Sequence, residues 1–468
     1  MAIQSVKLKP GINREGTRYT NEGGWYDGDK IRFRQGTPEK IGGWTRISAS
    51  VFLGVCRSLG NWVTLGGQNL IGAGTHLKFY ISNVGNYNDV TPIRATVSLT
   101  NPFTTVSGSA TVTVTDANGG YINGDYVTFS NASAVGGITI DGEYVVSSSA
   151  ISAAGTYTIT AASNASSSAT GGGTVSAAYQ INVGNAFATI LTGWGASSWG
   201  SGAWNVGESS VAPVRFWSQS NFGEDLIFGP EGGSIYYWDA TNGVTTRGVL
   251  LSSLGGASNV PIFQNIILVS DISRFVFCFG TNEVGSATLD PTLLRWSDQE
   301  DATNWTPSAI NQAGSLRLSR GTKIVAASQA RQEILVWTDS SLYSLQYVGA
   351  PAVWAATLVG ENISISSRNS VAYANGIAYW MGKDKFYMYD GRSQPLQCDV
   401  RKYVFNDFDT DQYGQVFSGT NEAFHEVWWF YCSSGSTTID SYVIYNYLEK
   451  IWYYGTLART AWLDSGLR

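Results

Sequence analysis

The stretch SIYYWD at Ser234–Asp239 decides the fold, because strands of the same kind return along the C-terminal half of the chain. They are rich in aromatic residues, and most end in Asp or Asn. The other copies are LLRWSD (Leu293–Asp298), SLYSLQ (Ser341–Gln346), KFYMYD (Lys385–Asp390) and YVIYN (Tyr442–Asn446). Successive copies are separated by roughly 45 to 60 residues, and a supersecondary unit with that period is typical of a β-propeller blade.

Composition supports a repeated all-β architecture. The chain has 468 residues, more than one ordinary core contains. Its 25 Tyr, 19 Phe and 17 Trp supply apolar surface, and its 54 Gly supply turns between short strands. We therefore predict an all-β protein whose β-propeller has about six blades. The predicted blades comprise an N-terminal unit containing Trp62–Ile81 and residues 214–250, 262–298, 323–347, 371–398 and 424–454.

Residues 1–46 are predicted to form an extended N-terminal arm that leads into a first strand at Lys30–Phe33. The arm is locally basic, with nine Lys and Arg residues against five acidic ones. Its candidate interaction residues are Arg14, Arg18, Arg32 and Arg34. The last blade has no obvious closing strand, so either this arm closes the ring or the native product continues beyond Arg468.

Residues 95–180 differ abruptly in composition, being rich in Ser, Thr, Ala, Gly and Val. Alternating segments such as ATVTVT (Ala110–Thr115) and TYTIT (Thr156–Thr160) predict a small inserted β-barrel or sandwich domain. Residues 47–94 and 181–468 would then form the propeller. Between Arg94 and Arg215 there is no Lys or Arg. That stretch is therefore excluded as a DNA-gripping surface, since duplex affinity comes mainly from cations.

The Gly-rich segment Gly193–Gly207 places Trp194, Trp199 and Trp204 five residues apart. Neither a helix nor a strand puts that spacing on one face, so we predict an ordered loop whose indoles dock onto a surface. That surface is either the chain's own propeller or an external one, on a neighbouring subunit or a glycan.

The sequence offers little catalytic chemistry. Its two histidines, His76 and His425, lie in strand-like settings, and neither belongs to a triad or a zinc-ligand pattern. Ser297–Asp301 followed by Trp305 resembles a sialidase Asp-box, but the Gly is missing and the spacing is wrong. The four cysteines are widely separated, and we predict buried thiols rather than disulfides or metal ligands. We expect no catalytic residues, no metal, no cofactor and no enzymatic activity.

Nothing in the sequence predicts a membrane segment. No apolar run approaches the roughly 18 residues that a membrane-spanning helix needs. The N-terminal residues lack the apolar region of a signal peptide. We therefore expect a protein that is made soluble in the cytoplasm and makes no membrane contact.

Three segments resemble the tail hub or nozzle proteins of short-tailed bacteriophages (podoviruses), also described as packaged-DNA stabilisation proteins. The segments are Pro10–Trp44, Leu294–Ala326 and Arg368–Gly391. The inserted region, as in Gly120–Gly142, is similar to the Ser/Thr/Gly-rich β-modules of many virion proteins. Together these segments indicate a structural protein of the viral tail.

The resemblance implies a virion component that assembles as a homohexameric ring below the portal and its adaptor. Such a ring would form the lower tube, hold packaged DNA, conduct it without sequence-specific binding during ejection, and carry a fibre, spike or needle. Two alternatives remain open on the residues alone. One is a propeller that binds a host glycan or receptor, which the tryptophan loop favours, and the other is a glycan-cleaving propeller.

Overall fold

A computed structural model describes residues 8–46, 48–117, 120–147, 155–190, 211–271 and 273–464. Every strand pairing among them is antiparallel. The N-terminal hairpin consists of β1 (Ile31–Arg34) and β2 (Thr37–Lys40). Blade 1 consists of β3 (Cys56–Val63), β4 (Asn69–Thr75), β5 (Phe79–Asn83) and β6 (Asn86–Asp89).

An inserted region and a short hairpin separate blade 1 from blade 2. The inserted strands are β7 (Ile93–Thr100), β8 (Phe103–Thr105), β9 (Thr111–Thr115), β10 (Tyr126–Ser130), β11 (Gly142–Val145), β12 (Thr156–Thr160), β13 (Ala169–Gly171) and β14 (Thr174–Gln180). The hairpin is formed by β15 (Thr189–Ile190) and β16 (Val211–Ala212).

The remaining strands form five further blades of four strands each. Blade 2 consists of β17 (Trp217–Phe222), β18 (Asp225–Pro230), β19 (Tyr236–Trp238) and β20 (Val249–Leu250). Blade 3 consists of β21 (Gln264–Val269), β22 (Val276–Asn282), β23 (Leu289–Trp296) and β24 (Gly314–Arg317). Blade 4 consists of β25 (Ile324–Gln329), β26 (Ile334–Thr338), β27 (Ser341–Gly349) and β28 (Val353–Glu361).

Blades 5 and 6 complete the set. Blade 5 consists of β29 (Val371–Ala374), β30 (Ile377–Met381), β31 (Phe386–Tyr389) and β32 (Ser393–Leu396). Blade 6 consists of β33 (Phe417–Asn421), β34 (Glu426–Tyr431), β35 (Ser441–Asn446) and β36 (Ile451–Thr456). Helical structure is confined to α1 (Arg401–Asn406) and 3-10 turns at Ala240–Asn242, Leu251–Ser253, Thr410–Gln415 and Glu422–Phe424 within the described residues. Among those residues, no helix is long and apolar enough to cross a membrane.

The six blades surround a common axis. Within each blade the strands follow one another in sequence order from the innermost to the outermost strand. Residues in or beside the first strands of all six blades line two adjoining cavities. The all-β fold and the prediction of about six propeller blades are therefore confirmed.

Aromatic side chains fill the interfaces between consecutive blades. Trp62 of blade 1 lies 6.1 Å from Trp238 of blade 2, and Phe277 of blade 3 lies 4.9 Å from Trp354 of blade 4, measured between ring centroids. The motif that recurs in the sequence is the third strand of blades 2 to 6. That strand is hydrogen-bonded on both sides and buried on both faces, which explains its aromatic composition.

The ring closes through the C-terminal segment. Trp462 stacks on Trp428 and Phe430 of blade 6 at centroid distances of 5.7 and 5.8 Å. Its neighbour Ala461 packs against the Cys56 and Tyr80 cluster of blade 1. Blades 6 and 1 are therefore joined by side-chain packing, and each blade has four strands of its own.

The N-terminal arm covers the outer edge of blade 6. The Ile12 N–H donates to the Trp452 carbonyl at 2.7 Å, and the Thr456 N–H donates to Asp29 at 2.8 Å. In the described part of the chain, β1 pairs only with β2. Of the alternatives left open for ring closure, the arm is therefore not the element that joins blade 6 to blade 1; it lies along the outer edge of β36.

The inserted region forms two four-stranded sheets, ordered β11-β10-β14-β7 and β12-β9-β8-β13. Their shared core contains Phe103, Phe129, Tyr157 and Tyr179. The Tyr179 hydroxyl bonds Tyr157 at 2.8 Å and donates to Asp116 at 2.6 Å. These sheets form a small sandwich. That residues 95–180 are a separable domain stays a prediction.

Candidate functional site

The central channel is narrow and polar. Its two adjoining cavities have volumes of about 210 and 350 Å³. Ser58, Gln219 and Ser328 line them together with main-chain groups of the first strands. A nucleic-acid duplex cannot pass through a space of this size.

One end of the channel is crossed by an ion pair, and we call this the crossed end. Arg368 precedes the first strand of blade 5, and Glu231 follows the second strand of blade 2. The Arg368 Nη1 and Glu231 Oε2 atoms lie 3.2 Å apart. In a ring of six, blades 2 and 5 face each other, so this contact spans the axis.

The connection from the sandwich to blade 2 also traverses the crossed end. Its Gly184 N–H donates to the His76 carbonyl of blade 1 at 2.9 Å. Further along the chain, the Ala188 N–H donates to the Gln412 Oε1 atom at 3.1 Å, and the Gln412 Nε2 atom donates to the Ala188 carbonyl at 2.9 Å. Gln412 belongs to the connection between blades 5 and 6. The chain that enters blade 2 is thus anchored across the axis from it.

Arg57 of blade 1 holds the same connection by a hydrogen bond to its main chain. Its guanidinium donates to the Ala186 carbonyl at 2.7 Å and is almost completely buried. Burial lowers the pKa of Arg57 to about 10, so the side chain stays charged at neutral pH. Its Nε and Nη1 atoms make no hydrogen bond within the described residues. Burying a guanidinium with two nitrogen atoms unbonded costs free energy, and its bond to Ala186 offsets part of that cost. The crossed end is thus fixed by polar contacts.

The two short strands that flank the predicted tryptophan loop lie beside these contacts. The hairpin of β15 and β16 follows Ala188 directly. Trp194, Trp199 and Trp204 belong to the residues between its two strands, which lie outside the described residues. Their role as interaction residues stays a prediction. The described strands β15 and β16 show only that the residues flanking this segment lie at the crossed end.

The opposite end of the channel carries the turns between first and second strands, and we call it the turn end. Asp271, Arg331, Tyr373 and Asn375 line a concavity of about 590 Å³ there. Burial raises the pKa of Asp271 above its usual 3.8. Aromatic and polar groups therefore meet in one surface depression formed by blades 3, 4 and 5.

A charged cluster fixes the sandwich to the propeller, and we call it the junction network. Lys78 of blade 1 is buried and bonds Asp89 at 2.8 Å and Glu143 of the sandwich at 2.5 Å. Arg247 of blade 2 reaches the same two carboxylates at 3.3 and 3.7 Å. The side chain of Gln180 donates to Glu143 at 2.6 Å. Two cations and two carboxylates thereby join three parts of the chain.

The junction network lowers the pKa of its central carboxyl group, that of Asp89. Burial of Asp89 opposes ionisation, but Arg247 and Lys78 outweigh it and hold the Asp89 pKa below its usual 3.8. Sequence analysis missed this network. The available signal was a lysine inside the apolar stretch Leu77–Ile81, since a lysine is rarely buried without a partner.

Two of the predicted interaction arginines, Arg32 and Arg34, contact residues of blade 6 or of the turn that precedes its second strand. Arg32 is buried, and its Nε lies 3.0 Å from the Glu426 Oε1 atom. Its guanidinium lies 3.5 Å from the ring centroid of Phe424, and that of Arg34 lies 5.9 Å from the same point. Burial raises the pKa of Glu426, with Tyr453 and Arg32 opposing that shift. The structure thus places Arg32 in an intramolecular contact.

The other two arginines stack on tyrosines. The Arg14 guanidinium lies 4.5 Å from the ring centroids of both Tyr26 and Tyr403. The Arg18 guanidinium lies 5.1 Å from that of Tyr26. The structure therefore brings the four arginines together in pairs, about Tyr26 and about Phe424. Contact of any of them with another chain stays a prediction.

Residues considered for catalysis have structural partners. Asp298 accepts the N–H groups of Gln299 and Gln312 at 2.9 and 2.8 Å, and Trp305 is buried. Both histidines lie in turns, contrary to the strand-like settings expected for them. No group of three His, Cys, Asp or Glu side chains suited to a metal ion occurs in the described ranges. All four cysteines are free thiols; Cys56, Cys278 and Cys432 are buried as predicted, whereas Cys398 is only partly buried.

Comparison with known proteins identifies no family. No protein-family model matches the chain, and no curated protein matches it. Among solved structures, a phage phi92 endosialidase is 14% identical, with a TM-score of 0.25, and the match covers 92% of this chain and 62% of that one. The AfRom2 CNH domain is 11% identical, with 52% and 72% covered and a TM-score of 0.32.

A third solved structure, a puromycin hydrolase, is 10% identical, with 89% of this chain and 55% of that chain covered and a TM-score of 0.32. The chain thus spans about 62% of the length of the endosialidase and 55% of the hydrolase. One of these distant likenesses is to a phage protein. At such identities and TM-scores they carry no argument about activity, and the fold assignment rests on the six sheets.

Proposed function

We propose that this chain is a structural subunit of a bacteriophage tail. Several copies would form the lower tube below the portal and adaptor, retain packaged DNA, conduct it during ejection and carry a fibre, spike or needle. The proposal is supported by the resemblance of Pro10–Trp44, Leu294–Ala326 and Arg368–Gly391 to nozzle proteins. Its protein partners are further copies of itself and the neighbouring tail components.

The observation that carries the proposal is the crossed channel. Arg368 and Glu231 bridge opposite blades, and the cavities beneath them are too small for a duplex. A tube for DNA therefore has to be enclosed by several subunits around an external axis. A closed cyclic arrangement of identical chains provides such a tube, and we infer six copies from the family resemblance.

The charge of the chain suits a conduit. The formal net charge is −6, and the sandwich region contributes acidic residues without a single Lys or Arg between residues 94 and 215. Phosphates are not held tightly by an acidic wall, because affinity for the nucleic-acid backbone grows with the number of cations that neutralise it. DNA would therefore pass without sequence-specific binding.

The rigidity of the subunit suits the same role. The junction network buries Lys78 between two carboxylates and ties the sandwich to blades 1 and 2. The sandwich is consequently held in one orientation relative to the propeller. Ring assembly favours such pre-organised subunits, because less conformational entropy is lost on association.

A host-glycan or receptor-binding propeller is the second candidate. The concavity at the turn end favours it, since Tyr373 offers an aromatic face beside the polar groups of Asp271, Arg331 and Asn375. Concave sites with an apolar surface and a few directed polar groups are typical of small-ligand recognition. The two candidates are separable, because the second needs no ring.

Electron microscopy of the purified chain, alone and mixed with its tail adaptor, tests the proposal. We expect closed rings with a central opening wide enough for a duplex. Glycan-array binding by the isolated subunit is the parallel measurement. Particles that remain single propellers under all conditions, together with specific glycan binding, would replace the first candidate with the second.

A further inference from the structure

Most outward-facing sheet edges of this protein are protected. The outer strands of blades 1, 2, 3 and 5 have four residues or fewer. That of blade 6 is covered by the N-terminal arm. Short, charged, proline-containing or covered edges are the usual means by which proteins prevent pairing between sheets. The sandwich edge strands β11 and β13 are equally short. The edge of β12 is partly covered, because Thr158 exchanges two main-chain hydrogen bonds with Ser147.

The outer strand of blade 4 is an exception. Strand β28 spans nine residues, Val353–Glu361, and its only charged residue is the last one. Its backbone pairs with β27 on one side. In the described chain its only other main-chain bond is from Trp354 to Ala352. The side chains of Thr357 and Leu358 are exposed. This edge is long and uncovered, and its one charge lies at its end, where Glu361 pairs with Arg320 at 3.0 Å.

The sandwich carries a second edge of this kind. Strand β7 spans eight residues, Ile93–Thr100, and pairs only with β14 in the described chain. Its single charge, Arg94, is directed to the Gln180 carbonyl at 3.1 Å and so does not guard the edge. Thr96 and Ser98 are exposed. Backbone donors and acceptors along β7 are therefore available for another strand.

The two unprotected edges belong to different parts of the subunit, β7 to the sandwich that the junction network holds against blades 1 and 2, and β28 to blade 4. Strand β7 follows blade 1 in the chain, and β28 is the outermost strand of blade 4. In a ring of six, blades 1 and 4 face each other across the axis. Contact between two different surfaces of identical subunits is head-to-tail, and head-to-tail contacts generate closed rings when the rotation permits.

We propose that β28 of one copy pairs with β7 of the next copy, so that the sheet of blade 4 continues into the sandwich of its neighbour. The inference rests on the proposed function, since it names the contact that closes the ring. Main-chain hydrogen bonds would provide the affinity, as in other cases of strand addition. Pairing of β28 with β28 would instead give a twofold dimer that cannot grow into a ring.

Charged substitutions test the contact. Leu358→Lys and Ser98→Lys place a cation on each edge, and Ser315→Lys places one on the short outer strand of blade 3 as a matched control. We expect about a tenfold loss of ring yield for the first two variants and none for the control. Unchanged thermal midpoints of the isolated variants would show that the subunits remain folded.

A crosslink tests the same contact without adding charge. Copies carrying Thr357→Cys are mixed with copies carrying Ser98→Cys under mild oxidation, and disulfide-linked dimers are expected only in the mixture. Two results together would overturn the strand pairing while the proposed function stands: normal ring yield from the Lys variants, and no disulfide-linked dimer from the mixed Cys variants. Absence of rings from the unmodified chain would overturn both.

Discussion

The propeller and the inserted sandwich are both all-β, but they are held by different forces. Consecutive blades meet through aromatic rings, as in Trp337 and Trp380, whose centroids lie 5.4 Å apart. The sandwich meets the propeller through the junction network of Lys78, Asp89, Glu143 and Arg247. Aromatic burial is insensitive to pH and salt, whereas a partly exposed charge network responds to both. The junction between sandwich and propeller is therefore the part of the molecule whose stability depends more on pH and salt.

The largest effect is expected from Trp429→Ala in the propeller. Trp429 is completely buried between Phe386 of blade 5 and Trp452 of blade 6. Its truncation should lower the free energy of unfolding by about 4 kcal/mol through lost burial and a cavity. Urea unfolding measures the change. Trp44→Ala is the matched control, because Trp44 is 49% exposed, and an equal loss from it would contradict the packing argument.

A smaller and more local effect is expected from Lys78→Met. Removing the buried cation leaves two carboxylates facing one remaining arginine, which should weaken the junction by about 3 kcal/mol. Limited proteolysis should then cut near residues 93 and 181 sooner than in the unmodified chain, while the propeller fragment stays intact. Lys385→Met, on a more exposed lysine, serves as control. Uniform cleavage throughout the propeller would show that the network stabilises the whole fold.

Deletion of residues 98–178 with a short Gly/Ser linker should leave the propeller folded. Lys78 then loses Glu143 but retains Asp89, so the expected cost is about 1–2 kcal/mol. Circular dichroism and calorimetry of the shortened chain check this. An insoluble or molten product would mean that residues 95–180 belong to the main core.

Acid should loosen the junction before it unfolds the propeller. Because the Asp89 pKa is held below 3.8 in the folded chain, its contribution to stability is present above that pH and lost as the pH falls through the lower folded value. Proteolysis of the linkers at pH values from neutral to about 3 measures the loss. Unchanged linker protection across that range would contradict the role given to Asp89.

The smallest effect on folding is expected from replacing Trp194, Trp199 and Trp204 together by Ala. If their indoles dock on another component, the thermal midpoint of the subunit should stay nearly unchanged. This corresponds to a change in the free energy of unfolding of less than about 0.5 kcal/mol. Ring yield or partner attachment should fall much more, since aromatic anchors at an interface contribute about 2 kcal/mol or more each. A collapse of the midpoint would assign these residues to packing within the subunit.

The propeller was predictable because its third strands carry their own signal. Strands such as β31 (Phe386–Tyr389) and β35 (Ser441–Asn446) are largely buried on both faces, so aromatic residues recur in them at the blade period. The arm was predicted as extended, but its place on β36 depends on long-range contacts from Ile12 and Asp29 that no local pattern encodes.

The site residues were less predictable for the same reason. The bond between Arg368 and Glu231 joins residues 137 positions apart, and that between Arg32 and Glu426 joins residues 394 positions apart. Neither pair has a recognisable sequence spacing. Ring closure by Trp462 was also missed, because a single indole beyond the last strand does not distinguish a closing contact from a loop.

The mass distribution of the purified chain with its adaptor, measured by mass photometry, tests the central claim of a ring-forming subunit most directly. The account predicts a dominant species that contains six chains of 50.4 kDa each. That species should be lost in Leu358→Lys and retained in Ser315→Lys. A persistent monomer at all concentrations, with and without the adaptor, would contradict the account.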